Sequence, residues 1–127
     1  MSYEERLATV LDGAVDLTRE DDGALTVRHD GTIASLRVVE IAEGLDLVSL
    51  TQILAWDRPL DSRLRSAVAA HAHTTLLGTV SLATKKKTAD VLLRYNFPAA
   101  GLSDDALRTL VLLVLAAGAD VRRALVG

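Results

Sequence analysis

The sequence predicts an α+β domain: a single antiparallel five-stranded sheet with three helices, in the order α-β-β-β-α-β-β-α. Two observations lead to this fold class. Every predicted strand-to-strand connection is short enough for a hairpin, which favours antiparallel pairing. A parallel doubly wound sheet would need a helix after nearly every strand, whereas only one such crossover fits here. A chain of 127 residues is expected to form one domain, residues 1–127.

A first helix of about four turns is predicted at the start of the chain. Ser2 followed by Glu5 has the spacing of a capping box. Apolar side chains then recur at helical spacing, at Leu7, Val10, Leu11, Ala14 and Leu17 or Thr18. The acidic stretch that ends in Gly23 is expected to break this helix.

Three strands are predicted next. Leu25 and Val27 alternate with polar residues, as in a half-buried strand. Asp30-Gly31 follows, and Asp-Gly between alternating apolar residues is a strong signal for a hairpin turn. The second strand is expected over residues 32–41 and the third over residues 45–56.

The second and third strands carry apolar side chains on both faces. Along a strand of an antiparallel sheet with one face in water, every second residue should be apolar and the residues between them polar. In the second strand Ile33, Val39 and Ile41 oppose Ala34, Leu36 and Val38, and in the third Leu47 and Ile53 oppose Val48, Leu50, Leu54 and Trp56. Both faces of these strands are therefore expected to be at least partly covered.

A second helix and two further strands follow. Asp57-Arg58-Pro59 predicts the start of a helix, because proline is tolerated in the first turn. This helix is expected to run to about His73 with a thin, alanine-rich apolar stripe. A fourth strand opens at Gly78, the triplet Lys85-Lys86-Lys87 forms a loop, and a fifth strand occupies residues 88–97.

The last predicted helix, residues 103–125, is apolar around most of its circumference. Ser103 can cap its first turn, and residues 110–119 contain no polar side chain. A stripe this wide indicates a helix that is covered on more than one side. The apolar run is about half the roughly 20 residues that a membrane span needs, so a membrane partner is not expected.

Composition excludes several kinds of chemistry. The net charge of -3 gives no electrostatic reason to expect nucleic acid as a partner. The chain contains no cysteine, so thiol catalysis, disulfides and cysteine metal sites are excluded. The acidic start of the chain does not resemble a signal peptide, and a cytoplasmic location is expected.

The histidines and paired acids do not predict a metal, cofactor or catalytic site. His71 and His73 are two residues apart on a predicted helix, so they point about 200° apart and cannot share a metal ion. His29 precedes a hairpin turn without a supporting motif. The pairs Asp21-Asp22 and Asp104-Asp105 fit a helix-ending loop and the positive end of a helix dipole.

Two other features allow more than one interpretation. Trp56, the only tryptophan, closes the core or anchors a partner. With Tyr95 and a histidine it could also line the cavity of a small-ligand-binding or enzymatic domain, which is the alternative function. The lysine triplet is interpreted as a solvated hairpin tip that protects the sheet from other strands, although lysines also suit a phosphate or an acidic partner.

The segment 95–108, Tyr95-Asn96-Phe97-Pro98-Ala99-Ala100-Gly101-Leu102-Ser103-Asp104-Asp105-Ala106-Leu107-Arg108, resembles a junction known from one family. Together with the order of elements, it is similar to the YbjN branch of the type III secretion chaperone fold, especially its actinobacterial members. The resemblance implies a non-enzymatic protein that binds peptides or partner proteins, often as a homodimer, and it supplies no catalytic or cofactor-binding residues. A roadblock-like scaffold is a second structural alternative.

A count of sheet faces predicts association. Three helices, one of them thin, are a poor cover for two apolar faces, so a second copy or a client peptide is expected to cover the remainder. The predicted partner-binding residues are Leu36, Val38, Val48, Leu50, Leu54 and Trp56. Such an interface should bury at least about 1,000 Å².

Overall fold

The computed structural model describes residues 2–98 and 100–126, which form one six-stranded antiparallel sheet and three helices. Met1, Ala99 and Gly127 lie outside the described residues, so Ala99 of the junction segment and both ends of the predicted domain are not placed. The helices are α1 (Tyr3–Leu11), α2 (Ser62–Thr74) and α3 (Asp104–Val126). The strands are β1 (Asp16–Arg19), β2 (Leu25–His29), β3 (Thr32–Ala42), β4 (Leu45–Pro59), β5 (Thr79–Thr84) and β6 (Thr88–Pro98). Their order across the sheet is β1-β2-β3-β4-β6-β5, with every neighbouring pair antiparallel.

The α+β class, the single antiparallel sheet and the three helices are confirmed, but the count of five strands is wrong. The described order is α-β-β-β-β-α-β-β-α, because β1 occupies residues that helical spacing placed in the first helix. The helix ends at Leu11, since Asp12 leaves the helical conformation and Gly13 takes a φ of +79°. Leu17 then pairs with Val27 of β2.

Several local signals are confirmed at the level of hydrogen bonds. The hydroxyl oxygen of Ser2 accepts the N–H of Glu5 at 3.1 Å, and that of Ser103 accepts the N–H of Ala106 at 3.1 Å. At the β2–β3 turn both Asp30 (φ +46°) and Gly31 (φ +81°) have positive φ, as a type I′ hairpin requires. Short polar side chains and glycine therefore set these boundaries locally.

The predicted start of the second helix at residues 57–59 is wrong. Strand β4 continues through Pro59, and α2 begins only after Asp61, whose carboxylate accepts the N–H of Leu64 at 2.8 Å. The register between β4 and β6 shifts twice near this end of the strand, and Asp57 there has a φ of +50°. Proline is compatible with the end of a strand as well as with a first helical turn, so it could not distinguish the two.

All three helices pack on the same face of the sheet. The side chains of Leu36, Leu50 and Leu93 on that face are fully buried, and so are Val111 and Leu115 of α3. Helix α3 lies against β3 and β4 and touches both α1 and α2. Its contacts on more than one side agree with its wide apolar stripe.

Two polar side chains, Thr32 and Gln52, are buried among the described residues. The amide nitrogen of Gln52 donates to the Thr32 hydroxyl oxygen at 2.8 Å and to the carbonyl oxygen of Leu115 at 3.2 Å. Its Oε1 lies next to Gly118 of α3 and has no hydrogen-bond donor. The glycine allows α3 to approach β4 at this point, since a Cβ would overlap the Gln52 amide.

Candidate functional site

The face of the sheet opposite the helices carries the surface of greatest functional interest, and we call it the open face. Residues alternate between faces along a strand, so its side chains are those next to the buried positions. The register across β3, β4 and β6 arranges them in four rows: Ile33, Ile53 and Leu92; Ser35, Thr51 and Arg94; Arg37, Ser49 and Asn96; and Val39, Leu47 and Pro98. Two polar rows therefore separate two apolar rows.

The β3–β4 hairpin end of the sheet exposes a cluster of aliphatic side chains, Val39, Ile41, Leu45 and Leu47, which we call the hairpin patch. The exposed fractions of the first three are 44%, 54% and 44%. A bulge between Glu40 and Ala42 leaves Ile41 without a partner in the ladder. Contiguous exposed aliphatic surface of this kind is typical of an association site.

Acidic side chains lie on the same hairpin as the patch, and the pair Glu40 and Asp46 is on the face opposite Val39 and Leu47. Glu40 and Glu43 are exposed, Asp46 is half-buried, and the register pairs Glu40 with Asp46. None of the three takes part in an ion pair within residues 2–98 and 100–126. The hairpin end of the sheet therefore combines apolar surface on the open face with unpaired negative charge in the turn and on the other face.

Four of the six predicted partner-binding residues lie in the chain's own core, which corrects their proposed role. Leu36, Val48, Leu50 and Leu54 are at most 1% exposed, and Val38 is half-buried on the same face. Trp56 is 39% exposed, at the end of β4 where the register shifts. The alternation of residues along the strands identified two apolar faces, but it could not show which of the two faces the helices cover. The face that remains free is the one that carries Ile33, Val39, Leu47 and Ile53.

Trp56 and Tyr95 do not share a cavity. The Tyr95 ring stacks on Phe97 with 5.6 Å between the centroids, and Tyr95 pairs with Leu50 of β4. Trp56 lies six residues further along β4 than Leu50, which corresponds to roughly 20 Å along a strand. A ligand site that uses both rings is therefore not formed.

The histidines are dispersed. His71 is half-buried and His73 exposed on α2, whereas His29 lies beside Asp30 with 3.7 Å between the His29 Nε2 and a carboxylate oxygen. Within the described part of the chain, no three histidine, aspartate or glutamate side chains form a group that could hold a metal ion. The expected absence of metal, cofactor and catalysis stays a prediction.

The acidic loop is also explained by local contacts. The Asp22 carboxylate accepts the N–H of Ala24 at 3.1 Å and lies 2.9 Å from the Arg37 guanidinium. The backbone hydrogen bond, supported by Arg37, holds the pKa of Asp22 below its usual value. Asp22 therefore links the β1–β2 loop to the open face.

The lysine triplet lies at the exposed tip of the β5–β6 hairpin. All three side chains are exposed, and the Lys85 ammonium also lies 2.6 Å from Asp57 and 3.2 Å from Asp90. The hydrogen bonds to these carboxylates raise the pKa of Lys85. The hydrogen bond from the Asp57 N–H lowers the pKa of Asp90, and the hydrogen bond from Lys85 lowers it further. The prediction of an exposed hairpin tip is therefore confirmed, and Lys85 makes ion pairs that the prediction did not include.

None of the described helices, α3 included, combines the length and hydropathy of a membrane span.

Comparison with known proteins identifies a fold but no close relative. No protein-family model matches the chain, and no curated protein sequence matches it. The crystal structure of YbjN from E. coli, which is described as a candidate transcription regulator, superimposes with a TM-score of 0.65 and 14% sequence identity. The superposition covers 93% of this chain and 87% of that one. Membership of an actinobacterial branch stays a prediction, but the predicted resemblance is confirmed for the architecture: this chain has a YbjN-like fold.

Proposed function

We propose that this protein is a non-enzymatic, chaperone-like module that binds a segment of another protein on the open face. The observation that carries the proposal is the hairpin patch, where Val39, Ile41 and Leu45 are exposed together at one end of the sheet. None of the helices covers this end of the face. Burying these side chains under a partner would be favourable by about 25 cal/mol for each Å² removed from water.

The acidic side chains of the hairpin that carries the patch favour a client segment that is both aliphatic and basic and that wraps around the edge of this hairpin. Glu40, Glu43 and Asp46 have no ion-pair partner in the described residues. Lysine or arginine next to aliphatic residues in a client would match the patch and the acids of the same hairpin. Two copies joined through the patch would instead bring like charges together.

The homodimer is proposed at the other end of the open face. There the row of Ile33, Ile53 and Leu92 is apolar, and Ile33 is 39% exposed. A two-fold axis through this row would bury the same aliphatic residues of both copies. The two ends of the open face would then serve two different partners.

Labelled peptides of defined composition test client binding. A peptide that alternates leucine or valine with lysine should bind the wild-type protein in a fluorescence anisotropy titration, and its glutamate counterpart should bind at least about tenfold more weakly. Ile41→Lys should weaken binding of the lysine peptide by a similar factor. Leu113→Lys is the matched control, because Leu113 is also 54% exposed but lies on α3. The proposal is contradicted if the two peptides bind the wild-type protein equally well. It is also contradicted if Ile41→Lys binds the lysine peptide as tightly as the wild type does.

Light scattering over a concentration series tests the homodimer separately. The wild type and Ile41→Lys should show the mass of a dimer, and Ile33→Lys should shift the protein to a monomer. A monomer at every concentration disproves the dimer and leaves the client site unaffected.

The description of YbjN as a candidate transcription regulator raises nucleic acid as a competing partner. For this chain we propose a protein partner instead. The four rows of the open face contain no aromatic side chain on which bases could stack, and the hairpin that carries the patch is acidic. A mobility-shift assay with single- and double-stranded DNA should show no retarded complex at physiological salt. The cytoplasm is the proposed location, which cell fractionation tests.

A further inference from the structure

A cleft of about 640 Å³ lies on the helix side of the molecule, between the start of α2 and the end of α3. Its lining surface is more polar than apolar, and its apolar part is formed by Pro59, Leu64, Ala67, Ala124 and Leu125. Two guanidinium side chains, Arg58 and Arg63, also line it. Its volume falls in the range of small-molecule sites. The cleft is separate from the open face.

An irregular turn of strand β4 places Arg58 at this cleft. Ala55 pairs with Val91 and Arg58 with Ala89, so β4 contains one extra residue in this interval. The extra residue forms a bulge, a feature that redirects side chains. Arg58 thereby comes opposite Ala89, which is fully buried on the helix side.

Side-chain contacts hold the bulge in place. Asp57 has a φ of +50°, an uncommon conformation for a residue with a side chain. Its N–H donates to Asp90 Oδ1 at 2.9 Å, and the Lys85 ammonium bridges the carboxylates of Asp57 and Asp90. Such anchored, unfavourable conformations tend to occur at functional sites.

The two arginines of the cleft have no acidic partner within residues 2–98 and 100–126. The third charged residue of the cleft, Asp61, already caps α2 through its bond to the N–H of Leu64. The backbone carbonyl of Lys87 accepts the N–H of Leu60, which brings the exposed lysine turn to the same end of the molecule. A half-buried guanidinium without a counter-ion is unfavourable, and a bound anion would relieve this.

We propose that this cleft binds an amphipathic organic anion. A phosphate or carboxylate head group accepts hydrogen bonds from Arg58 and Arg63, since guanidinium groups match both anions in a bidentate geometry. The aliphatic body of the ligand packs against Leu64, Ala67 and Leu125. The cleft contains both kinds of surface side by side, which a purely ionic or a purely apolar ligand would not use.

An NMR titration of ¹⁵N-labelled protein tests the proposal with three probes: hexyl phosphate, heptanoate and inorganic phosphate. Hexyl phosphate or heptanoate should cause saturable shifts in the amides that line the cleft, and the tighter of the two identifies the head group. Inorganic phosphate should bind at least about tenfold more weakly, because it lacks an apolar body. The fluorescence of Trp56, two residues from Arg58, provides a second readout.

Variants of the arginines locate the site. Arg58→Gln and Arg63→Gln should each weaken binding of the tighter probe by about tenfold. Arg65→Gln is the matched control, because Arg65 is on the same helix, exposed, and not part of the cleft. Arg63 is exposed, so its variant tests the site even if Arg58→Gln fails to fold. The proposal is overturned if no saturable shifts are seen. It is also overturned if the control Arg65→Gln loses as much affinity for the probe as Arg58→Gln and Arg63→Gln do. Inorganic phosphate that binds as tightly as hexyl phosphate overturns the amphipathic assignment.

Discussion

The two faces of the sheet differ in composition and in what covers them. On the helix side the central strands contribute Leu36, Val48 and Leu50, and the two buried polar side chains of the described residues, Thr32 and Gln52, are hydrogen-bonded to each other. On the open face two polar rows cross the centre and aliphatic residues occupy the ends. The helix side therefore supplies the core, and the open face is available for partners without loss of the fold.

The largest expected difference between the faces is the response to a carboxylate. Val114→Asp, or Val111→Asp, should abolish folded protein, because both side chains are fully buried and the carboxylate would have no partner. Val39→Asp is the matched change on the open face, where the side chain is 44% exposed, and it should alter the free energy of unfolding by less than about 1 kcal/mol. Denaturant unfolding monitored by circular dichroism measures both. An unchanged midpoint for Val114→Asp would show that the covered face has been misidentified.

The contact between Gly118 and Gln52 tests how closely the helix layer fits the sheet. Gly118→Ala should lower the free energy of unfolding by about 1–3 kcal/mol, because the new Cβ overlaps the Gln52 amide. In a Gln52→Ala background the same change should cost much less, since the obstructing amide is absent. A double-mutant cycle measures this coupling. Independent, additive effects would mean that the amide moves aside without strain.

The ion-paired bulge should show a smaller, pH-dependent effect. Lys85→Ser should destabilise the protein slightly, because Lys85 bridges Asp57 and Asp90. The pKa of Asp90 is lowered in the fold, so its contribution is present above the ordinary value of 3.8 and is lost as the pH falls through the lowered pKa. The pKa of Lys85 is raised, so its contribution is present below 10.5 and is lost as the pH rises through the raised pKa.

The difference between wild type and Lys85→Ser should therefore be largest between these two pH values and should shrink on either side. Thermal unfolding across the pH range measures it. A constant difference from acid to alkaline pH would exclude the ion pairs as its cause.

The smallest effect is expected at the other two lysines. Replacing Lys86 and Lys87 together by serine should change the free energy of unfolding by no more than about 0.5 kcal/mol, since both side chains are exposed. The same denaturation assay serves as the check. A loss larger than that of Lys85→Ser would mean that the turn, and not the bridge, stabilises this end of the sheet.

Local signals predicted most of the elements. The caps at Ser2 and Ser103 and the hairpin at Asp30-Gly31 depend on residues within a few positions of each other, and all three are confirmed. The alternation in β6 is also confirmed, with Val91 and Leu93 buried. The errors occur at β1 and at the end of β4, where the residues suit two local structures equally and the choice depends on the neighbouring strand.

The residue pattern alone identified most of the turns, which residues alternate, and that two strands are apolar on both sides, because these properties follow from neighbouring residues and the period of each element. Packing between distant segments fixes which of the two faces the helices cover, and so places Leu36 and Leu50 in the core and Ile33 and Val39 on the open face. It also brought Arg58 and Arg63 to one cleft with the end of α3. These outcomes depend on how distant segments pack, and periodicity within a segment carries no information about the side from which another segment arrives.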